Sequence, residues 1–247
     1  MYVRWILLSK LGRGSVLKSA SIVIMLLTLF LFGFLYNVEE NSASKTAVNN
    51  IHINNSIILD AGHGGFDGGA SASDGTQEKD INLSITLKLK ELLEFSGYNV
   101  ILTRDTDSGI ESNPDDTIGK RKVSDMKNRL KIINSNPEAL FVSIHLNKFT
   151  TASASGAQVF YSPNNENSML LAENLQKAIV GRIQPNNDRV VKKGGKNIYL
   201  LKNAKIPSVI VECGFLSNKA ELEQLKSEEY QLKMAFCIYC GILDYNG

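Results

Sequence analysis

The segment IILDAGHGGFDGG, residues 57–69, leads from a short apolar run into a loop with five glycines and one histidine. An apolar run that ends in such a loop is typical of a buried strand in a parallel sheet, where loops at the carboxyl ends of strands form binding sites. Neither common phosphate-binding loop fits. A dinucleotide fingerprint starting at Gly62 would need glycine at Asp67, and a P-loop would need lysine, which next occurs at Lys79. We therefore expect the loop to present His63 to something other than phosphate.

Apolar runs alternate with helical patterns along the rest of the chain. This alternation predicts one α/β domain over residues 56–247, with a mostly parallel six-stranded sheet flanked by helices on both faces. The helical pattern after the loop has a candidate N-cap at Asp80 and a terminating glycine at Gly97. The other helices are predicted at 119–134, 166–183 and 229–243, and the strands at 57–61, 99–103, 140–145, 157–161, 198–201 and 208–212.

The N-terminal residues form a different kind of segment. The only charged residues among the first 36 are basic, and residues 20–36 carry no charge. Seventeen helical residues rise about 26 Å, close to the ~30 Å of a bilayer core. This predicts a cytoplasmic basic segment at 1–19, a transmembrane signal anchor at 20–36 and a polar linker at 37–55, with the body outside the cytoplasm. Small residues at 42–44 leave cleavage and secretion open, but their distance from the apolar segment favours an uncleaved anchor.

The charge of the chain argues against one class of partner. Beyond residue 36, 23 basic residues stand against 25 acidic ones, so a nucleic-acid partner has no electrostatic basis.

Four chemically active side chains fall where predicted strands and loops end. His63 follows the first strand, Glu78 precedes the first helix, His145 ends the third strand, and Glu212 ends the sixth. Histidine at the end of a buried strand is costly unless its ring nitrogens find partners. Two histidines and one carboxylate are a common ligand set for catalytic zinc, with a fourth position left for water. The glycines around His63 would let the backbone turn sharply and would leave space for substrate beside such a metal.

Five segments then indicate a family. ILDAGHGGFDGGA, EKDINL, VILTRDTD, FVSIHLN and VIVECGFLSN occur in this order from about residue 56 onward, and together they resemble the zinc-dependent N-acetylmuramoyl-L-alanine amidases of the amidase-3 type. The apolar N-terminus and the segments RKVSDMKNRLKIIN and SGAQVFY are more similar to the germination-specific spore-cortex subgroup of endospore-forming bacteria.

The resemblance implies roles for individual residues. His63, Glu78 and His145 would bind Zn²⁺, and Glu212 would be the catalytic carboxylate. Zinc would activate a water, and Glu212 would carry its proton to the departing nitrogen. Asn147, Arg104 and Arg129 are candidate substrate contacts, with a structural or surface role as the alternative. Asp60, Asp67 and Asp80 are candidates to orient the histidines.

The resemblance also implies a substrate and a setting. The substrate would be peptidoglycan, cut at the amide between the lactyl group of N-acetylmuramic acid and L-alanine. In the spore setting, between the two forespore membranes, the product would lead to muramic-δ-lactam, which germination requires. An accessory protein is compatible with the sequence, and the short segment 148–156 leaves no room for a long helical insert that would block the site.

Three alternatives remain open. The chain could act in vegetative cell-wall turnover, or it could be a peptidoglycan-binding relative without turnover, although all four active residues are present. A different zinc hydrolase such as a peptidase is the third, but its usual His-Glu-x-x-His helix is absent from the sequence.

Overall fold

A six-stranded sheet with helices on both faces forms residues 55–247, which are the residues described in this computed structural model. The strands are β1 Ser56–Ala61, β2 Asn99–Leu102, β3 Ala139–Asn147, β4 Gln158–Tyr161, β5 Lys192–Lys193 and β6 Ser208–Phe215. The helices are α1 Glu78–Phe95, α2 Ile118–Asn134, α3 Asn167–Arg182, α4 Tyr199–Asn203, α5 Lys219–Lys226 and α6 Glu228–Asn246. The predicted α/β class and the number of strands are confirmed.

The sheet is mixed rather than uniformly parallel. Its strand order is β2-β1-β3-β6-β4-β5, and β1, β2, β3 and β6 run in the same direction. β4 is antiparallel to β6, and β5 is parallel to β4, so these two strands run in reverse. The carboxyl ends of β1, β3 and β6 therefore meet at one end of the sheet.

Strand alternation divides the core into two layers. Ile57, Leu59, Val142 and Val211 face α1, α3 and α6 on one side of the sheet. On the other side, Ile58 and Phe141 pack with residues of α2 and α4 and of the turn that follows α4, which are Ile133, Leu200 and Ala204. Because successive side chains point to opposite faces, one strand can supply both layers.

One predicted strand was wrong. Residues 198–201 lie at the start of α4, and the fifth strand is instead the exposed pair Lys192–Lys193. A run of four apolar residues fits a buried strand and a buried helical turn equally well, so its periodicity could not distinguish a strand from a helix. The short polar helix α5 was also missed.

At the two ends of α1, one prediction from the sequence is confirmed and one is wrong. Gly97 has φ +86°, and it follows the helix as the predicted terminating glycine. The predicted cap at Asp80 was wrong, because the helix already begins at Glu78 and Gln77 is its N-cap. Asp80 lies in the first turn, where a carboxylate interacts favourably with the helix dipole.

The predictions for 1–19, 20–36 and nearly all of 37–55 fall outside the described residues. Among residues 55–247, no helix is both long and apolar enough to span a bilayer.

Candidate metal centre and active site

The four predicted active residues lie together at the carboxyl end of the parallel strands. His63 follows β1, Glu78 is the first residue of α1, and His145 and Glu212 are paired neighbours on β3 and β6. Paired residues of adjacent strands point to the same face of a sheet. The fold thus brings residues up to 149 positions apart in the chain to one site.

Three of these side chains have the geometry of a metal-ligand set. One donor atom from each of His63, Glu78 and His145 lies within 4.8 Å of the other two. Nε2 of His63 is 3.3 Å from Oε2 of Glu78, and Nδ1 of His145 is 3.0 Å from Oε1 of the same carboxylate. Two imidazole nitrogens and a carboxylate suit Zn²⁺, so the donor chemistry fits the ion that the sequence predicted.

Glu78 is held in place by groups that the sequence did not single out. The backbone N–H of Ala70 donates to its Oε2 at 2.8 Å, and that of Leu146 donates to its Oε1 at 3.0 Å. Asn82, one helical turn further along α1, donates to Oε1 at 3.3 Å and to the carbonyl oxygen of Gly62 at 3.2 Å. The carboxylate is therefore oriented by the glycine-rich loop, by β3 and by its own helix.

His63 has an uncommon backbone conformation, with φ +63°. A non-glycine residue in this left-handed region is destabilised unless its surroundings hold it. Two buried arginines bind the carbonyl oxygens around it. Arg129 donates to those of Ala61 at 3.1 Å and His63 at 2.8 Å, and Arg104 donates to those of Ala61 at 2.8 Å and Gly62 at 3.1 Å. The three consecutive carbonyls are thus fixed by two guanidinium groups.

Two glycines are required by the ligand side chains themselves. A β-carbon on Gly69, which has φ +67°, would lie 2.6 Å from Oε2 of Glu78 and 2.7 Å from Cδ2 of His63. A β-carbon on Gly62 would lie 2.3 Å from Nε2 of His145. The positive φ of Gly69 agrees with the predicted sharp turn, but the prediction that these glycines leave space for substrate was wrong, because side chains of His63, Glu78 and His145 fill the space beside them.

Asp67, one of the candidates to orient the histidines, contacts the His63 ring. Its Oδ2 lies 3.0 Å from Nδ1 of His63, which leaves Nε2 to face Glu78. Burial alone lowers the pKa of His63, but the hydrogen bonds and negative charges of Asp67 and Glu78 outweigh it and raise the pKa to about 9. Burial raises the pKa of Glu78, yet hydrogen bonds to His145 and His63 hold it well below its usual range. Without a metal, protonated His63 therefore offsets the charge of the carboxylates.

Glu212 differs from Glu78 in having a buried carboxylate oxygen, Oε2, with no hydrogen-bond partner among the described residues. Burial, aided by the charge of Glu78, raises the pKa of Glu212, although His145 and His63 oppose the shift. A carboxyl that has a raised pKa and one oxygen without a partner among the described residues, and that lies beside a candidate ligand set, is suited to accept and return a proton.

A groove of about 420 Å³ runs over these residues. Its floor includes His63, His145, Ile210 and Glu212. Its walls come from the glycine-rich loop, α2 and the segment that leads into α4, and they include Phe66, Lys122, Met126, Asn197 and Tyr199. No sequence pattern pointed to these wall residues, partly because 198–201 was assigned to a strand.

The three candidate substrate contacts occupy different positions. Asn147 ends β3 and is partly exposed, and its Oδ1 accepts from the N–H of Lys148 at 2.8 Å. Arg104 is only 4% exposed and also donates to the carbonyl oxygens of Lys79 and Thr106. Arg129 has no exposed surface. Both guanidinium groups are thus directed to the protein itself.

Arg129 is the centre of a buried charge cluster. It pairs with Asp125 at 2.7 Å and with Asp60, and Asp60 also accepts from Thr103 at 2.7 Å and from Ser143. Burial raises the pKa of Asp60, but Arg129 and the two hydroxyl donors outweigh it and lower the pKa to about 2. The carboxylate therefore stays ionised near the candidate metal site. Asp80 does not join this cluster in the hydrogen bonds found among residues 55–247.

Comparison with known proteins identifies the family of the protein that carries this site. The family model of N-acetylmuramoyl-L-alanine amidase, Amidase_3, matches residues 57–244, which include His63, Glu78, His145 and Glu212. The chain belongs to this amidase family.

Two comparisons support the assignment in detail. The amidase is 34% identical over 220 residues to the germination-specific N-acetylmuramoyl-L-alanine amidase of Bacillus subtilis (strain 168), covering 88% of this chain and 90% of that protein. It also matches the structure of the CwlD amidase from Clostridioides difficile in complex with the GerS lipoprotein. That match has a TM-score of 0.74 at 47% identity and covers 77% of this chain and 97% of that one.

A more distant amidase has the same fold. The amidase AmiC2 of Nostoc punctiforme matches with a TM-score of 0.66 at 31% identity, over 77% of this chain and 96% of that one. The family predicted from the five sequence segments is confirmed.

Proposed function

We propose that this amidase is zinc-dependent and cleaves the amide between the lactyl group of N-acetylmuramic acid and L-alanine in spore-cortex peptidoglycan. The observation that carries the zinc assignment is the convergence of donor atoms from His63, Glu78 and His145 within 4.8 Å. These three residues would hold the ion. When bound, Zn²⁺ supplies Lewis acidity, which polarises a carbonyl oxygen and lowers the pKa of a water ligand.

Glu212 is the proton carrier in this proposal. Its raised pKa and its unpartnered oxygen, beside the ligand set on the floor of the groove, support the role. Glu212 takes the proton from the attacking water and delivers it to the nitrogen of L-alanine as that nitrogen leaves.

We assign different roles to the three residues that the sequence indicated as candidate substrate contacts. Asn147 is partly exposed next to the ligand-bearing part of β3, which supports a contact with substrate carbonyl or amide groups. Arg104 and Arg129 are positioning residues, because their donors hold the carbonyl oxygens of the glycine-rich loop.

The spore setting is supported by the relatives. Both the germination-specific amidase of B. subtilis and CwlD of C. difficile match most of the body. In this setting the apolar segment 20–36 anchors the enzyme, the body acts in the forespore intermembrane space, and the product is used for muramic-δ-lactam. The structure of CwlD with the GerS lipoprotein supports an accessory protein for this amidase as well. The alternative setting is vegetative cell-wall turnover.

Digestion of purified cortex with the full-length enzyme tests the reaction. New amino termini are labelled and identified, and new reducing ends are counted in the same digest. Free L-alanine amino groups are expected, whereas reducing ends alone would show a glycosidase and refute the proposal. Spores that carry only the Glu212→Gln variant test the setting, because their cortex should lack muramic-δ-lactam. Normal δ-lactam in those spores would favour the vegetative role.

A further inference from the structure

One part of the surface has an unusual charge distribution. Residues 189–205 contain six basic residues and no acidic residue, whereas the chain beyond residue 36 has more acidic than basic residues. The five lysines of this segment are exposed, and none of them forms an ion pair with another residue in the described part of the chain. Their charges are therefore available to a partner.

The sheet register shows which of these residues face the groove. Lys192 on β5 is paired with Phe160 on β4, which is paired with Ile210 on β6, and Ile210 lies on the groove floor. Paired residues share a face, so Lys192 extends the groove side of the sheet by two strands, or roughly 10 Å. Lys193 must point to the opposite face. Its neighbour of the same parity, Val191, packs against the core on that opposite side.

Two further cations adjoin the same side. Gln158 is the β4 partner of Glu212, and Nη1 of Arg189 donates to Oε1 of Gln158 at 3.3 Å. The Arg189 guanidinium also lies over the ring of Phe215 at 4.7 Å. Lys196 directly precedes Asn197, which lines the groove. We call Arg189, Lys192 and Lys196 the cationic rim.

We propose that the cationic rim binds carboxylates of peptidoglycan stem peptides, so that a polymeric strand is held beside the groove while one stem is cut. This rests on the proposed function, because it takes its ligand from the peptidoglycan substrate. Stem peptides carry free carboxylates at regular intervals along a glycan strand, and these complement three cations that form no ion pair with a carboxylate among residues 55–247. Ion pairs at an exposed rim contribute little individually but govern encounter and orientation.

The two adjacent lysines of β5 give a matched test. The full-length chain in detergent carries Glu212→Gln to prevent cutting, and it is compared with the same chain carrying either Lys192→Glu or Lys193→Glu. Binding to insoluble peptidoglycan is measured by co-sedimentation. Lys192→Glu should weaken binding by about 3- to 10-fold, as loss and reversal of one exposed ion pair predicts, and Lys193→Glu by less than about twofold. Thermal unfolding of both variants checks that the fold is retained.

A chemical control identifies the ligand. The same binding is measured on peptidoglycan whose carboxylates have been converted to amides, where the difference between the two variants should disappear. Equal binding by the two variants on native peptidoglycan, or a difference that persists on the amidated polymer, would overturn the proposal. Release of L-alanine amino termini by the chain with Glu212 intact tests the proposed function separately. Failure of the cationic-rim proposal can therefore be distinguished from failure of the proposed function.

Discussion

Nη2 of Arg129 donates to the carbonyl oxygen of His63 at 2.8 Å, and this bond joins a buried charge cluster to a histidine in the left-handed backbone region. The same guanidinium pairs with Asp60 and Asp125. The geometry of the candidate metal site therefore depends on buried ion pairs that touch none of the three candidate ligand side chains.

We expect Arg129→Met to destabilise the fold strongly. The variant would leave two carboxylates buried without their cation, and breaking a buried pair in this way costs about 3–5 kcal/mol. Urea unfolding measures the loss. Arg182→Met is the control, because Arg182 is exposed on α3 and its replacement should change the free energy of unfolding by less than about 0.5 kcal/mol. Similar values for both variants would contradict the role of the cluster.

Gly69→Ala should weaken zinc binding by about 10- to 100-fold, because its β-carbon would displace Glu78 and His63. Gly75→Ala is a matched control. Gly75 also has a positive φ, +90°, but a β-carbon there would meet nothing within 4 Å. Both variants should lose about 1–2 kcal/mol through backbone strain, and only Gly69→Ala should lose zinc in competition with a chelator. Loss of zinc from both would attribute the effect to strain alone.

Zinc binding should release about one proton per chain at pH 8, because the pKa of His63 is about 9 in the metal-free protein and a ligand nitrogen must be deprotonated. Titration calorimetry in buffers of different ionisation enthalpy measures this number. Zinc affinity should accordingly weaken as the pH falls below 9. Binding without proton release at pH 8 would show that His63 is already neutral.

Glu212→Gln should retain zinc and the fold but reduce turnover by about 10²- to 10⁴-fold, because the amide cannot carry the proton. Comparable turnover at one zinc per chain would remove Glu212 from the chemistry.

The same substitution should change how stability depends on pH. Burial raises the pKa of Glu212 in the folded state above its ordinary value of 4.5, so the native state binds more protons than the unfolded state just above that pH. In the metal-free enzyme, the stability of the unsubstituted protein relative to Glu212→Gln should therefore fall as the pH rises above 4.5. Denaturant unfolding of both proteins between pH 4 and 8 measures the difference, and parallel curves would contradict the shift.

The sequence was sufficient where periodicity and spacing carry the information. The strands that contain His145 and Glu212 have long apolar runs, and the polar residues within or after these runs were the basis for predicting the site, although β3 and β6 continue to Asn147 and Phe215, beyond the predicted strand ends. The reversed direction of β4 could not be predicted, because the residue pattern of an apolar strand does not depend on whether the strand is parallel or antiparallel to its neighbour. The two lysines of β5 carry no apolar signal at all.

The contacts by which Arg104 and Arg129 support the site could not be predicted from the sequence, for a different reason. A charged residue in a helical pattern usually faces solvent, so nothing in the local sequence indicated that Arg129 is fully buried. Arg104 and Arg129 were candidates for substrate contact, with a structural or surface role as the alternative, and the carbonyl oxygens they bind become neighbours only after β1, β2 and α2 have packed. Such contacts depend on tertiary structure rather than on local pattern.

The crowding at Gly62 and Gly69 limits how this loop can be redesigned. Neither residue offers a donor atom, yet any larger side chain would collide with an imidazole or a carboxylate, so both belong to the metal site in practice. Phe66, which lines the groove and stacks on Arg121, is a position in the loop where a library could reshape substrate access without touching the ligands.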